Sequence, residues 1–230
     1  MNLWNNPITR RWNTFLRKNI RVSRLKKAAG KKGLRSASIL YNNCLGGVVL
    51  HELGLRFDTP TINLFFHSMD FFTFAEHLEH YLSADLTPCL HPLHQPEIEY
   101  PVMTLPGNET LPDLELHFLH YRSTEEAVSA WERRKARLDR NDLSLVWTFS
   151  FGTYTEADYA RFEAIPIARK VAFVNRPVDT EKYPHLFYIK GFEKERSLGQ
   201  IINYSGLFGK RYYDSFPWID WLLQRSDENA

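Results

Sequence analysis

DLELHFLH (residues 113–120) alternates apolar and polar side chains, and the 55 residues after it decide how the fold is read. Alternation with period two marks a strand. STEEAVSAWERRKARL (123–138) has helical spacing, and Ser123 with Glu126 three residues on makes a capping box that satisfies two free N–H donors. LSLVWTF (143–149) reads as a strand and KVAFVN (170–175) as another. Between them TEADYARFEAI (155–165) reads as a helix begun at Thr155 and stopped at Pro166. A βαβαβ run over 113–176 with short links predicts parallel strands and right-handed crossovers. The expected fold class is α/β: a three-layer, mostly parallel, Rossmann-like sheet with helices on both faces.

The front half extends the pattern more loosely. SASILYNN (36–43) reads as a strand of the same sheet. NCLGGVVLHEL (43–53) reads as a short helix, apolar nearly all round and so buried. MDFFTFAEHLEHYL (69–82) reads as a helix whose core side carries Phe71, Phe74, Ala75, Leu78 and Leu82. Residues 84–112 hold six of the twelve prolines and read as an irregular crossing, with a strand near 98–105. HLFYI (185–189) is a further strand and FPWIDWLLQ (216–224) a closing helix.

Of the 29 Lys and Arg, eleven fall in residues 1–35, which contain no Asp or Glu; the remaining 18 face all 27 acidic residues. A basic arm (1–35) is thus joined to an acidic body (36–230), expected to be a single α/β domain of two associated halves. Ile8, Trp12, Phe15, Leu16 and Ile20 share one side of a helix, with Arg10, Arg11, Arg17, Lys18, Arg21 and Arg24 filling much of the rest. Such a helix suits an anionic membrane surface; it equally suits packing on the acidic body. Nucleic acid is not expected as a partner, since the body offers no basic groove or recognisable module. No apolar run is long enough to cross a bilayer. Two cysteines and no secretory leader pattern point to the cytoplasm.

In open parallel sheets, ligands bind beyond the carboxyl ends of the strands. That rule selects Asn42, Asn43, Cys44, Gly46 and Gly47 after the first strand, and His120 and Tyr121 after the second. It also selects Phe151 to Thr153 after the third, and Asn175 and Arg176 after the fourth. Asn43 suits a helix cap. Gly46 and Gly47 suit either close approach of an anionic ligand or tight helix packing. Cys44 at a helix start is a candidate nucleophile with His51 or His120 as base, or else a small buried hydrophobe. HxxH occurs at 77–80, 91–94 and 117–120, but 117 and 120 point to opposite faces of a strand and no third ligand accompanies 77 and 80. Neither a metal nor a cofactor is expected.

Four separated blocks carry a resemblance: YNNCLGGVVLHELGLRFDTPTINLFF (41–66), YPV (100–102), LELHFLHYRSTEEAVSAWERRKARL (114–138) and GKRYYDSFPWIDWLL (209–223). Together they resemble the DUF1919 family over about residues 36–223, with the arm as an addition. The family's recurrent features correspond to Asn42, Asn43, Cys44, Gly46, Gly47, Thr59, Pro60, Thr61, His120, Tyr121, Trp131 and Arg134, while Leu45 stands where many relatives carry tryptophan. The resemblance implies an α/β protein of bacterial exopolysaccharide or capsule biosynthesis. From this follows the expected function: a glycosyl- or acyl-transferase-like enzyme, cytoplasmic or peripheral at the inner membrane. Its partners would be a sugar-nucleotide or acyl donor and a glycan acceptor. His120 and Cys44 are the catalytic candidates; Asn42, Asn43, Gly46, Gly47, Thr59, Thr61, Tyr121, Asn175 and Arg176 are the substrate-binding candidates. The alternative is a non-catalytic binding or assembly module of a polysaccharide-synthesis complex.

Overall fold

A computed structural model of the chain describes residues 3–93, 99–148, 154–195 and 197–224. Phe151 to Thr153 and His94 fall outside the described residues. The chain opens with helix α1 (Pro7–Leu16), one π-helical turn (Arg17–Arg21) and α2 (Val22–Lys31). Asn6 starts α1 by accepting the Ile8 and Thr9 N–H groups, each at 3.1 Å, and Pro7 fills the position where a missing N–H costs nothing. Strand β1 (Ser38–Tyr41) leads into α3 (Leu45–Leu53). There follow β2 (Phe65–Phe66), α4 (Ser68–Glu76), α5 (Leu78–Ser83), β3 (Thr87–Pro88), β4 (Val102–Leu105) and β5 (Leu114–His117). The second half runs α6 (Thr124–Lys135), β6 (Leu143–Thr148), α7 (Glu156–Ala164), β7 (Arg169–Val174), β8 (Leu186–Tyr188) and α8 (Trp218–Leu223).

Two four-stranded sheets result. One is parallel in the order β1-β6-β7-β8; the other is antiparallel in the order β2-β5-β4-β3. The mixed α/β class stands, but the run expected through 113–176 does not form a single sheet. Strand β5 pairs antiparallel with β4 (Met103 opposite Leu116) and β2 (Phe66 opposite Leu116), and β1 takes the place beside β6. A tight link explains the exchange. Asn108 N–H reaches Leu111 O at 2.9 Å, and a Cβ on Gly107 would lie 1.9 Å from Leu111 O, so the chain turns straight back from β4 into β5. A hairpin needs only such a link, whereas parallel neighbours need a crossover. Composition agrees: the apolar run SILY of β1 suits a covered parallel strand, while β5 buries Glu115 and His117 together at 2.7 Å. The helix expected at 69–82 is broken at His77, which ends α4 with φ −119° and ψ 41°.

Asn42 joins the sheets. Its side chain donates to Thr148 O and accepts from Thr148 N, both at 2.9 Å, as a strand residue would; its own carbonyl accepts Phe66 N–H at 3.1 Å. A shared core then fills both sides of the seam. From α4, Phe72 meets Trp147 of β6 edge to face at 4.0 Å, while Phe74 packs on Phe66 at 5.0 Å and Trp131 of α6 at 6.3 Å.

The arm is held by a buried ion network. Arg17 donates bidentately to Glu52, with Nε–Oε1 at 2.6 Å, and to Asp214 at 2.8 and 3.1 Å. It also reaches Tyr213 OH at 2.7 Å and Gly209 O at 2.6 Å. Burial works against the guanidinium cation, but the hydrogen bonds it donates to Glu52 and then to Asp214 outweigh it and hold the arginine pKa above its ordinary value. Arg21 adds a contact to Asp214 at 3.0 Å. Removing one member of such a network strands the others without water. Arg17→Ala should therefore lower unfolding free energy by about 3–5 kcal/mol, toward the lower end because Arg21 and Arg211 remain near the carboxylates. Lys32→Ala, which breaks only the exposed pair with Asp220, should cost under about 1 kcal/mol. Urea melts of the two variants check the contrast.

Candidate functional site

Asn42 fixes the end of β1 beside β2, and β2 is paired with β5, so the residues after β1 and after β5 meet at one edge. Cys44 Sγ lies 3.5 Å from His120 Nε2. The parallel-sheet reading brought these two together for the wrong reason: they leave different sheets and meet across the seam. Cys44 opens α3 in helical conformation, while Asn43 Oδ1 accepts Leu45 N–H at 2.9 Å and so supplies the cap. Burial pushes the Cys44 thiol above its ordinary pKa, against the lowering expected at a helix start. The resting group is a neutral thiol whose nearest base is an exposed imidazole.

This pair opens into a cleft of about 740 Å³. Gly47, Val48 and His51 of α3 line it together with Thr14, Lys18, Val22 and Lys26 of the arm and with Tyr204 and Arg211 from the C-terminal part of the chain. Among the described residues lining it, Glu52 is the sole carboxylate, and that group is held by Arg17 and Tyr213. Asn63 lines the cleft with φ 64°, a left-handed conformation that asparagine tolerates better than most residues. A second cleft, about 490 Å³, lies by Leu143 and Ala168 at the amino ends of β6 and β7, the wrong end of a parallel sheet for ligand chemistry.

Of the residues singled out from sequence as candidates for chemistry or binding, Cys44, Gly47, His51 and His120 line the cleft. Others carry the fold. Asn42 is the sheet clamp. Thr61 Oγ1 accepts Tyr41 N–H at 3.0 Å and contacts Thr59 Oγ1 at 3.2 Å, both threonines being fully buried. Tyr121 OH donates to Ile62 O at 3.2 Å and accepts from Arg134. A Cβ on Gly46 would sit 1.9 Å from the Tyr41 ring, so that glycine is required by packing, not by a ligand. Leu45 is buried as well, which leaves no stacking role there. Asn175 holds a loop by donating to Glu195 O at 2.7 Å, and Arg176 is exposed; neither lines this cleft. His117, three residues from His120, is buried and stacks on Phe65 at 4.3 Å, away from the site. Sequence reasoning missed Lys18, Lys26, Asn63, Tyr204 and Arg211. The lysines were visible only as part of a charge block, and Tyr204 lies 190 residues from Thr14, the arm residue it bonds.

The chain matches DUF1919, described as a domain of unknown function, over residues 13–223, and it belongs to that family. The match begins inside the basic arm, so the arm from Asn13 onward, Arg17 included, is part of the shared core and not an addition to it. A Haemophilus influenzae protein described as an uncharacterized protein is 36% identical over 185 residues, which covers 80% of this chain and 83% of that one.

In a Cys89→Ser background, alkylation of Cys44 by iodoacetamide should be slow at neutral pH. Its rate should still be rising in the alkaline range where an ordinary thiol has levelled off. A rate profile that levels below the ordinary thiol pKa would contradict the burial effect.

Proposed function

We propose that this protein is a transferase acting on a glycan precursor at the inner face of a bacterial membrane, with Cys44 as acyl-accepting nucleophile and His120 as base. The observation that carries the reading is the 3.5 Å Cys44–His120 contact opening into a cationic cleft. A neutral thiol needs its proton removed as it attacks. His120 Nε2 takes that proton while Sγ bonds to the donor carbonyl; the donor's bond to its leaving group breaks, and the leaving group takes the proton from His120. An acceptor hydroxyl then attacks the thioester, its proton passing through His120 to the departing Cys44 thiolate. Glycosyl transfer would use His120 alone, as base for the acceptor hydroxyl. The polysaccharide setting rests on the family resemblance. A Rossmann-like layer with helices on both faces is part of the same reading; the β6–α7–β7 passage between parallel neighbours supports it.

An anionic membrane surface is the proposed partner of residues 1–35. In support, Ile8 (82% exposed), Trp12 (56%) and Phe15 (56%) face solvent, while Leu16 and Arg17 turn inward. Trp12 and Phe15 stack with centroids 6.1 Å apart. No described helix is long and apolar enough to cross a membrane. The same exposed face favours the second reading, a non-catalytic module docked to a synthesis complex. Cys44→Ala that leaves glycan output normal selects the module.

Incubation with a panel of acyl-CoA donors, followed by intact mass measurement, should reveal a hydroxylamine-labile adduct on Cys44. His120→Ala should slow its formation roughly 10²–10³-fold. A folded protein with no adduct across the panel would remove the acyl-transfer reading. For the arm, Trp12→Ser with Phe15→Ser should abolish sedimentation with phosphatidylglycerol vesicles and leave the urea midpoint nearly unchanged, since both side chains are exposed.

A further inference from the structure

We infer that the cleft beside Cys44 binds a diphosphate group and that Lys18, Lys26 and Arg211 are its ligands. This rests on the same cleft as the transferase reading and names what its substrate carries.

Three observations converge. Charge comes first. The cleft collects Lys18, Lys26 and Arg211 with His51 and His120, and its one described carboxylate, Glu52, is already occupied by Arg17 and Tyr213. Among the described residues neither Lys18 nor Lys26 has a carboxylate at salt-bridge distance, although the body carries a large acidic excess. Cations that outnumber the carboxylates in a concave site focus the field on an incoming anion.

Preorganisation is the second. Arg211 is fixed at both ends. Its N–H donates to Asp214 Oδ2 at 2.7 Å, and its guanidinium lies over the Tyr204 ring at 5.4 Å with Nη1 donating to Tyr213 OH at 3.2 Å. Its nearest contact to Glu52 is 3.6 Å, longer than the bidentate bonds that Arg17 makes to that group. A guanidinium held in one orientation loses little freedom on binding an anion. The Lys26 stem lies along Gly54, where a Cβ would stand 3.2 Å from Lys26 Cγ.

Spacing is the third. Lys18 and Lys26 are eight residues apart on one continuous helical run, about 12 Å along its axis. Two ammonium groups on separate stems in one cleft suit two linked phosphates better than one. A cleft of about 740 Å³ has room for a diphosphate together with the group it esterifies. A nucleotide and a prenyl lipid both present this chemistry.

Calorimetric titration of the full chain at fixed ionic strength tests the assignment, with inorganic phosphate, pyrophosphate, uridine diphosphate and farnesyl diphosphate as probes. Pyrophosphate should bind roughly tenfold tighter than phosphate. Lys18→Gln with Lys26→Gln should weaken pyrophosphate binding roughly tenfold or more. Lys27→Gln with Lys31→Gln, outside the cleft on the same helix, should leave it unchanged. Tighter binding of the uridine ester identifies a nucleotide, and of the farnesyl ester a lipid. Pyrophosphate that binds no better than phosphate, or equal losses in the two double variants, would overturn the inference. Binding and acylation are both measured on the same preparation of the parent chain. Binding without acylation of Cys44 therefore removes the catalytic reading alone, and acylation without pyrophosphate binding removes this one alone.

Discussion

The guanidinium of Arg17 sits between two carboxylates and a phenol, with almost no water on any of them. Everything that gives the cleft its walls depends on that arrangement. Glu52 lies on α3, the helix that follows Cys44; Asp214 and Tyr213 belong to the C-terminal segment; Arg17 is in the arm. One side chain thus ties three distant parts of the chain around a common hollow. Isolated, any of these charges would be costly to bury; together they are satisfied by short, charge-assisted bonds. The π turn at Arg17–Arg21 marks the same place, where a widened helical turn interrupts regular spacing between α1 and α2.

This network also explains which parts of the molecule were legible in the chain and which were not. Local signals worked. Ser123 Oγ accepts Glu126 N–H at 3.2 Å, although Glu126 reaches back to the Arg122 N–H at 3.0 Å instead of closing the expected box on Ser123; Thr155 with Asp158 forms a fully reciprocal cap. The parallel pairing of β6 with β7 follows from the intervening helix. Strand β5 misled because alternation says that a segment is extended, not which sheet receives it. The deciding feature was the tight Gly107 turn, hidden in a proline-rich stretch that reads as irregular.

The site shows the same division. Position after a strand drew attention to Cys44 and His120, which meet in the structure, but it drew equal attention to Asn42 and Tyr121, and the family resemblance to Thr61, whose polar atoms serve the backbone. Polar residues next to a sheet edge are needed by the fold as often as by a ligand, since buried N–H and C=O groups must be paired. Only partners distinguish the two. Asn42 is fully engaged with Thr148, while His120 reaches no described main-chain group and points at a thiol. The cationic wall was invisible because charge blocks carry no address; Lys18 and Lys26 acquire one only when Arg17 docks.

The arm has a further consequence for how the molecule is made. Arg17 and its partners Gly209, Tyr213 and Asp214 are separated by more than 190 residues, so the arm is made well before the partners that hold it. Throughout elongation a strongly basic, aromatic-bearing segment is without half of its anchor, with Glu52 alone to hold it. Closing so long a loop is slow more than it is costly. A nascent chain therefore passes through a stage in which this segment is undocked, before the body is complete. Order of emergence, not final stability, then sets how long the segment stays undocked.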